Sequence, residues 1–119
     1  MSHPLNFSEL VARVTPLITE ITVEQYQADD TWVLLDVRED HEWLKDHLPL
    51  AKHLSRGILE CYIETRFPDK TTPLLLYCGA GSRSALAAYQ LQLMGYSRVA
   101  SLAGGYKAWT ARQLPVVQD

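Results

Sequence analysis

The sequence lacks the marks of a membrane-bound or secreted protein. No apolar run approaches the roughly 20 residues that a bilayer-spanning helix needs, and residues 1–10 contain neither the basic nor the apolar stretch of a signal peptide. The two cysteines, Cys61 and Cys78, have no CxxC spacing and are too few to staple a secreted scaffold of 119 residues. We therefore predict a cytoplasmic protein with at least one free thiol.

An excess of charge of one sign is also absent. The 11 basic and 14 acidic residues are mixed along the chain and leave a net charge of −3, which predicts neither nucleic acid nor a membrane surface as a partner. The four histidines show no zinc-ligand spacing with either cysteine, so we predict no metal ion and no cofactor. They are His3, His41, His47 and His53. With 47% hydrophobic and 21% charged residues, the composition is that of one globular domain whose partners are small molecules or another protein.

Apolar residues recur at helical spacing near the start of the chain, from Phe7 to Ile18. This pattern predicts an amphipathic N-terminal helix, which Pro16 should end or bend because proline lacks the N–H that a helix interior uses. We assign residues 1–17 to a helical extension that docks on the core, and residues 18–119 to the main domain.

Two continuously apolar segments, residues 32–37 and 73–77, are typical of strands buried on both faces of a parallel sheet. Shorter strands are predicted at 18–21, 51–54 and 99–102, and helices at 22–28, 39–46, 57–67, 84–94 and 106–113. Thr22 and Gln25 fit a capping box at the start of the first of these helices. Strands that alternate with helices indicate an α/β fold with a parallel sheet, in which ligands bind beyond the carboxyl ends of the strands.

Cys78 directly follows the second apolar strand and opens a loop of small residues that leads into a helix. The other candidate residues of this loop are Gly79, Ala80, Gly81, Ser82, Arg83 and Ser84. Small side chains let the backbone curl and aim several N–H groups at one anion. The helix dipole, these N–H groups and the guanidinium of Arg83 would together favour a thiolate. A cysteine at a strand end is, taken alone, more often a buried apolar residue, but the whole arrangement predicts that Cys78 is a nucleophile.

The chain resembles the single-domain rhodanese sulfurtransferases in four segments that occur in the family's order. They are Leu-Leu-Asp-Val-Arg-Glu at 34–39 with Glu42 and Trp43, His-Leu-Pro-Leu-Ala at 47–51, the Cys78 loop, and Leu-Ala-Gly-Gly-Tyr-Lys-Ala-Trp at 102–109. Leu50 departs from the family, which usually has glycine at this turn. The resemblance implies a rhodanese-like α/β fold, with a five-stranded, mainly parallel sheet and helices on both faces. It also implies a ping-pong reaction in which Cys78 carries sulfane sulfur as a persulfide, taken from a small-molecule donor such as thiosulfate and passed to cyanide or a thiol.

Other residues receive supporting roles. The resemblance implies that Asp36 and Arg38 organise the site, as a buried carboxylate usually serves nearby N–H groups or an arginine. Arg83 is expected to attract the anionic donor. Trp43 and Trp109 are expected in the core. Cys61 lies among apolar residues at helical spacing, which predicts simple packing for its side chain.

The sequence leaves alternatives open. Cysteine phosphatases and arsenate reductases also place a thiolate and an arginine in one loop. Their loops have the spacing Cys-x5-Arg, whereas four residues separate Cys78 from Arg83. An inert module that binds a protein partner is a second alternative, which the intact Cys78 loop disfavours. In a third, the persulfide passes to a protein acceptor, and the sequence does not choose between that acceptor and a small molecule.

Overall fold

The strands of the protein form one parallel sheet. In the computed structural model, which describes residues 3–118, they are β1 (Thr19–Ile21), β2 (Val33–Asp36), β3 (Lys52–His53), β4 (Leu74–Tyr77) and β5 (Val99–Leu102). Their order is β1-β5-β4-β2-β3, and every neighbouring pair is parallel. The central strand β4 and its neighbour β2 are the two continuously apolar segments, because strands covered on both faces have no water-facing side. The predicted five-stranded parallel sheet is confirmed.

Helices cover both faces of this sheet, as predicted. Within residues 3–118 they are α1 (Phe7–Val14), α2 (Val23–Gln27), α3 (Asp40–Lys45), α4 (Leu59–Arg66), α5 (Ser82–Leu93) and α6 (Gly105–Ala111). Val23 of α2 and Trp109 of α6 pack in one buried cluster with Leu75 of β4. Helices α4 and α5 contribute to a second cluster on the opposite face, with Leu76. Adjacent residues of a strand point to opposite faces, so β4 joins both halves of the core. None of the helices among these residues has the length and apolar character that a membrane crossing demands.

The helix ends follow the local sequence. Thr22 caps α2 as predicted: the Gln25 N–H donates to the Thr22 hydroxyl at 3.1 Å, and the Thr22 N–H donates to the Gln25 side chain at 2.8 Å. Helix α1 gives way to a short 3₁₀ turn, Thr15–Leu17, which contains Pro16. Proline is tolerated in a first turn, where its missing N–H would have had no partner.

Helix α1 lies against α5 and is only partly covered. Val14 is buried, whereas Phe7 is 56% exposed and Leu10 is 40% exposed. The apolar stripe of α1 therefore continues past the region that packs on the core.

Two predictions about side-chain environment are wrong. Cys61 is exposed, because α4 turns Leu59 and Ile63 toward the sheet and places Cys61 on its outer surface. Trp43 is half-buried and lies outside the core: its ring stacks on His47 at 3.5 Å and on His53 at 4.9 Å between ring centroids. Trp109, by contrast, is buried as predicted.

Leu50 lies in the turn that precedes β3. Its φ is +70°, in the left-handed region that favours glycine, and its side chain is 88% exposed. The departure from the family's usual glycine therefore falls at a position where the backbone itself favours glycine.

Candidate active site

Cys78 lies at the carboxyl end of the central strand and is 1% exposed. Two backbone N–H groups donate to its sulfur, that of Gly81 at 3.2 Å and that of Ser84 at 3.3 Å. The Ser84 hydroxyl lies 3.5 Å from the same sulfur. Donors that converge in this way stabilise negative charge, so the geometry suits an anionic sulfur on Cys78.

The loop can close over the sulfur because Gly81 has a φ of +107°. This conformation lets the chain reverse and start α5 at Ser82, one residue later. An L side chain would be strained there, which explains a glycine at this position. The predicted helix start beyond Cys78 is therefore present and brings the first-turn N–H groups toward the sulfur.

Helix α6, which follows the neighbouring strand β5, contacts the loop through its first backbone N–H groups. The N–H of Tyr106 donates to the Cys78 carbonyl at 2.8 Å, and the N–H of Lys107 donates to the Gly79 carbonyl at 2.9 Å. A Cβ on Gly105 would lie 2.3 Å from the Cys78 carbonyl oxygen, so only glycine allows this approach. The segment 102–109 thus binds the carbonyl groups of the loop through two backbone hydrogen bonds.

Ser84 and Ser101 form a buried polar pair beneath the loop. Their hydroxyls lie 2.8 Å apart, and neither residue is exposed to solvent. The Ser84 hydroxyl also lies 3.3 Å from the Gly81 carbonyl, to which it can donate. The sequence analysis missed Ser101. A serine within a buried strand such as β5 could have indicated a polar contact there, because a buried hydroxyl needs a hydrogen-bond partner.

Arg83 is paired with Glu42. Its Nη1 and Nη2 atoms donate to the two carboxylate oxygens at 2.7 Å and 3.2 Å. Hydrogen bonding from Arg83 lowers the pKa of Glu42 from 4.5 to about 2. The same pairing raises the pKa of Arg83, with the charge of Cys78 a lesser cause. The attraction of the anionic donor by Arg83 stays a prediction, and the pairing with Glu42 is an additional contact that the sequence did not indicate.

Asp36 and Arg38 are buried beside the site. The Arg38 Nη2 donates to Asp36 at 2.8 Å, and the Arg38 backbone N–H donates to the same carboxylate at 2.9 Å. Tyr77, the residue before Cys78 in the chain, donates its hydroxyl hydrogen to Asp36 at 2.5 Å. Burial, more than the nearby carboxylate, raises the pKa of Tyr77. These contacts join the ends of β2 and β4, and neither Asp36 nor Arg38 lines the pocket at Cys78.

An open pocket of about 460 Å³ leads to the cysteine. It is lined by Phe7, Glu42, Cys78, Gly79, Ala80, Ser82, Arg83 and Lys107. Phe7 and Lys107 were missed by the sequence analysis as site residues, because neither adjoins the loop in sequence. A second cavity, of about 510 Å³, lies near the start of β2 and β3 and contains none of the predicted site residues.

Comparison with known proteins places this site in a family. The rhodanese-like domain matches residues 20–112 of the chain. The chain belongs to the rhodanese-like family. A thiosulfate sulfurtransferase GlpE of Coxiella burnetii is 38% identical over 79 residues, which cover 66% of this chain and 72% of that protein. Family membership with such relatives supports sulfur transfer as the general activity of this rhodanese-like domain.

Solved structures agree on the fold. A Rhodopseudomonas palustris protein of unknown function, described as a possible tyrosine phosphatase, has a TM-score of 0.83 and 26% identity and covers 98% of both chains. A thiosulfate sulfurtransferase from Pseudomonas aeruginosa has a TM-score of 0.77 and 31% identity over 86% of this chain, but over only 20% of its own. Two different chemistries are thus named among similar structures, and the site must decide between them.

Proposed function

We propose that the protein is a sulfurtransferase in which Cys78 takes the sulfane sulfur of an anionic donor such as thiosulfate and carries it as a persulfide. The observation that supports this proposal best is the pair of N–H groups, from Gly81 and Ser84, directed at the Cys78 sulfur. Hydrogen bonds to a charged group contribute on the order of 1.5 to 3 kcal/mol each. The N–H groups of this short loop can therefore stabilise one sulfur anion at its centre.

The reaction consists of two displacements at sulfur. The Cys78 thiolate attacks the outer sulfur of thiosulfate, a new S–S bond forms, and the old S–S bond breaks with its electron pair leaving on sulfite. The resulting persulfide carries the negative charge within reach of the same N–H groups. Cyanide or a thiolate then attacks the terminal sulfur, and the electron pair of the S–S bond returns to Cys78.

The phosphatase alternative is disfavoured by the arginine. In a phosphate-binding loop the arginine serves the oxygens of the substrate, whereas both terminal nitrogens of Arg83 donate to Glu42. Only four residues separate Cys78 from Arg83, one fewer than in the Cys-x5-Arg loops of the phosphatases. Activity on an aryl phosphate comparable to sulfur transfer would reverse this assignment.

A protein acceptor would use the same intermediate. The pocket is open, and Phe7 at its edge is 56% exposed, so a protein thiol has an apolar surface to contact beside Cys78. The two versions of the proposal differ only in the second displacement. A mixed disulfide trapped between Cys78 and one protein would favour the relay.

Mass spectrometry of the intact protein tests the proposal. Incubation with thiosulfate should add about 32 Da, the mass of one sulfur atom, and peptide mapping should place it on Cys78. Cys78→Ser should abolish the adduct. Cys61→Ser is the matched control, because Cys61 is an exposed thiol remote in sequence from the loop, and this variant should keep the adduct. Absence of sulfur on Cys78 in the wild-type protein would exclude the proposed reaction.

A further inference from the structure

The pocket at Cys78 has three charged side chains in its lining: Glu42, Arg83 and Lys107. Glu42 and Arg83 bind each other through two hydrogen bonds, so their charges largely cancel at a distance. Lys107 makes no ion pair within residues 3–118 and is exposed to solvent. Lys107 is therefore the one charged side chain in this lining that has no countercharge among the described residues.

The backbone holds Lys107 at this position. Its N–H donates to the Gly79 carbonyl at 2.9 Å, in the loop that carries the nucleophile. The preceding N–H, of Tyr106, donates to the carbonyl of Cys78 itself. Two consecutive bonds to the loop keep the Lys107 Cα beside Cys78, whatever rotamer the long side chain adopts.

The position of Arg83 points the same way. Its Nη2 lies 3.1 Å from where a Cβ on Gly79 would be, so the guanidinium lies close to the loop backbone at Gly79 as well as against Glu42. The charge of Arg83 is already compensated by Glu42, and its guanidinium is placed to support the loop at Gly79. A lysine with a free ammonium can instead follow an incoming anion to the sulfur.

We infer that Lys107 selects and recruits the anionic sulfur donor, and that Arg83 is a positioning residue for the loop. For thiosulfate this inference rests on the proposed function, but the selection of anions at Cys78 does not. The two ideas can therefore be tested separately.

Alkylation by a charged and a neutral reagent measures the field at Cys78 without any sulfur chemistry. Iodoacetate and iodoacetamide are similar in size and both transfer a carbon to the thiolate with loss of iodide, but only the first is an anion. In a Cys61→Ser background, which leaves Cys78 as the thiol, Lys107→Gln should lower the rate ratio of iodoacetate to iodoacetamide about threefold at low salt. Lys107→Glu should lower it about tenfold, because the charge change is twice as large.

Lys52→Gln is the matched control. Lys52 is also exposed, but it lines the other cavity, at the start of β3. Its removal changes the net charge equally and should leave the ratio unchanged. A ratio that falls equally in Lys52→Gln and Lys107→Gln, or in neither, would overturn the inference.

The same variants then test the donor. Thiosulfate carries two negative charges, so its rate of sulfur addition should fall about tenfold in Lys107→Gln, and the loss should shrink as salt is raised. If Lys107→Gln lowers the alkylation ratio but the wild-type protein accepts no sulfur, the proposed function fails and Lys107 remains an anion selector. If sulfur addition is normal and equally fast in wild type and Lys107→Gln, the proposed function stands and this inference fails.

Discussion

Removal of one charge from the Glu42–Arg83 pair tests whether that pair holds the active loop. In Glu42→Gln the amide keeps an acceptor oxygen for the Glu39 N–H, which the Glu42 carboxylate accepts at 3.0 Å, so the start of α3 is preserved. The charge on the carboxylate is lost. Arg83 then retains a partner of the same shape but loses its countercharge and one of its two acceptors, because the amide nitrogen of glutamine donates.

The expected loss of stability follows from the pKa of Glu42. A fall from 4.5 to about 2 corresponds, at about 1.36 kcal/mol per pKa unit, to an upper bound of about 3 kcal/mol. The side chains of Glu42 and Arg83 are 27% and 31% exposed, so solvent screens part of this energy. We expect Glu42→Gln to lower the free energy of unfolding by about 1–2 kcal/mol at pH 7.

The difference between wild type and variant should depend on pH in one direction. Because folding lowers the pKa of Glu42, its contribution is complete above the ordinary value of 4.5 and is lost as the pH falls from 4.5 toward about 2. Urea unfolding at pH 7, 5 and 3 measures it. Other titrating groups affect wild type and variant alike and cancel in the difference.

Glu20→Gln is the control for this series, since Glu20 is exposed on β1 and forms no ion pair within the described part of the chain. Its effect should stay within about 0.5 kcal/mol at every pH. A Glu42→Gln difference that is the same at pH 7 and pH 3 would refute the electrostatic account. Freed from its partner, Arg83 should also raise the ratio of iodoacetate to iodoacetamide alkylation at Cys78.

Substitutions at one leucine and two glycines give further tests. Leu50→Gly should raise the free energy of unfolding in urea by about 0.5–1 kcal/mol, because it removes the left-handed backbone strain of an 88% exposed leucine. The greater freedom of glycine in the unfolded chain offsets only part of that gain. A loss of stability would contradict this prediction. Gly105→Ala should destabilise the fold by about 2–4 kcal/mol and slow sulfur addition at Cys78, since its methyl group would lie 2.3 Å from the Cys78 carbonyl oxygen. Gly57→Ala, with nothing within 4 Å of the added Cβ, should do neither, and equal effects in the two alanine variants would refute the steric argument.

The sheet could be predicted because its signals are local. Buried parallel strands are apolar along their whole length, so β2 and β4 stand out without knowledge of their partners. The Thr22 capping box and Pro16 mark a helix start and a helix end by chemistry confined to one turn. The Cys78 loop is equally local, since strand, small residues and helix follow one another in the chain.

The failures concern side chains whose surroundings depend on distant segments. Cys61 has apolar sequence neighbours, but the direction in which α4 faces the sheet decides which of them is buried. The partner of Arg83 could not be predicted, because only the position of α3 shows that Glu42 lies within hydrogen-bond distance. Phe7 lies outside the family match at residues 20–112, and the docking of α1 alone brings it to the pocket.

The position of Lys107 follows from strand order more than from any motif. Strands β4 and β5 are parallel neighbours, with Leu76 opposite Ser101, so the segments that leave their carboxyl ends must meet. One of these segments is the Cys78 loop and the other begins α6. The N–H groups of α6 donate to carbonyl oxygens of the loop. The N–H groups of the loop itself can therefore donate to the sulfur. A change in the first turn of α6 should therefore alter both the field at the pocket mouth and the geometry at Cys78, even though 26 residues separate Cys78 from Gly105 in the chain.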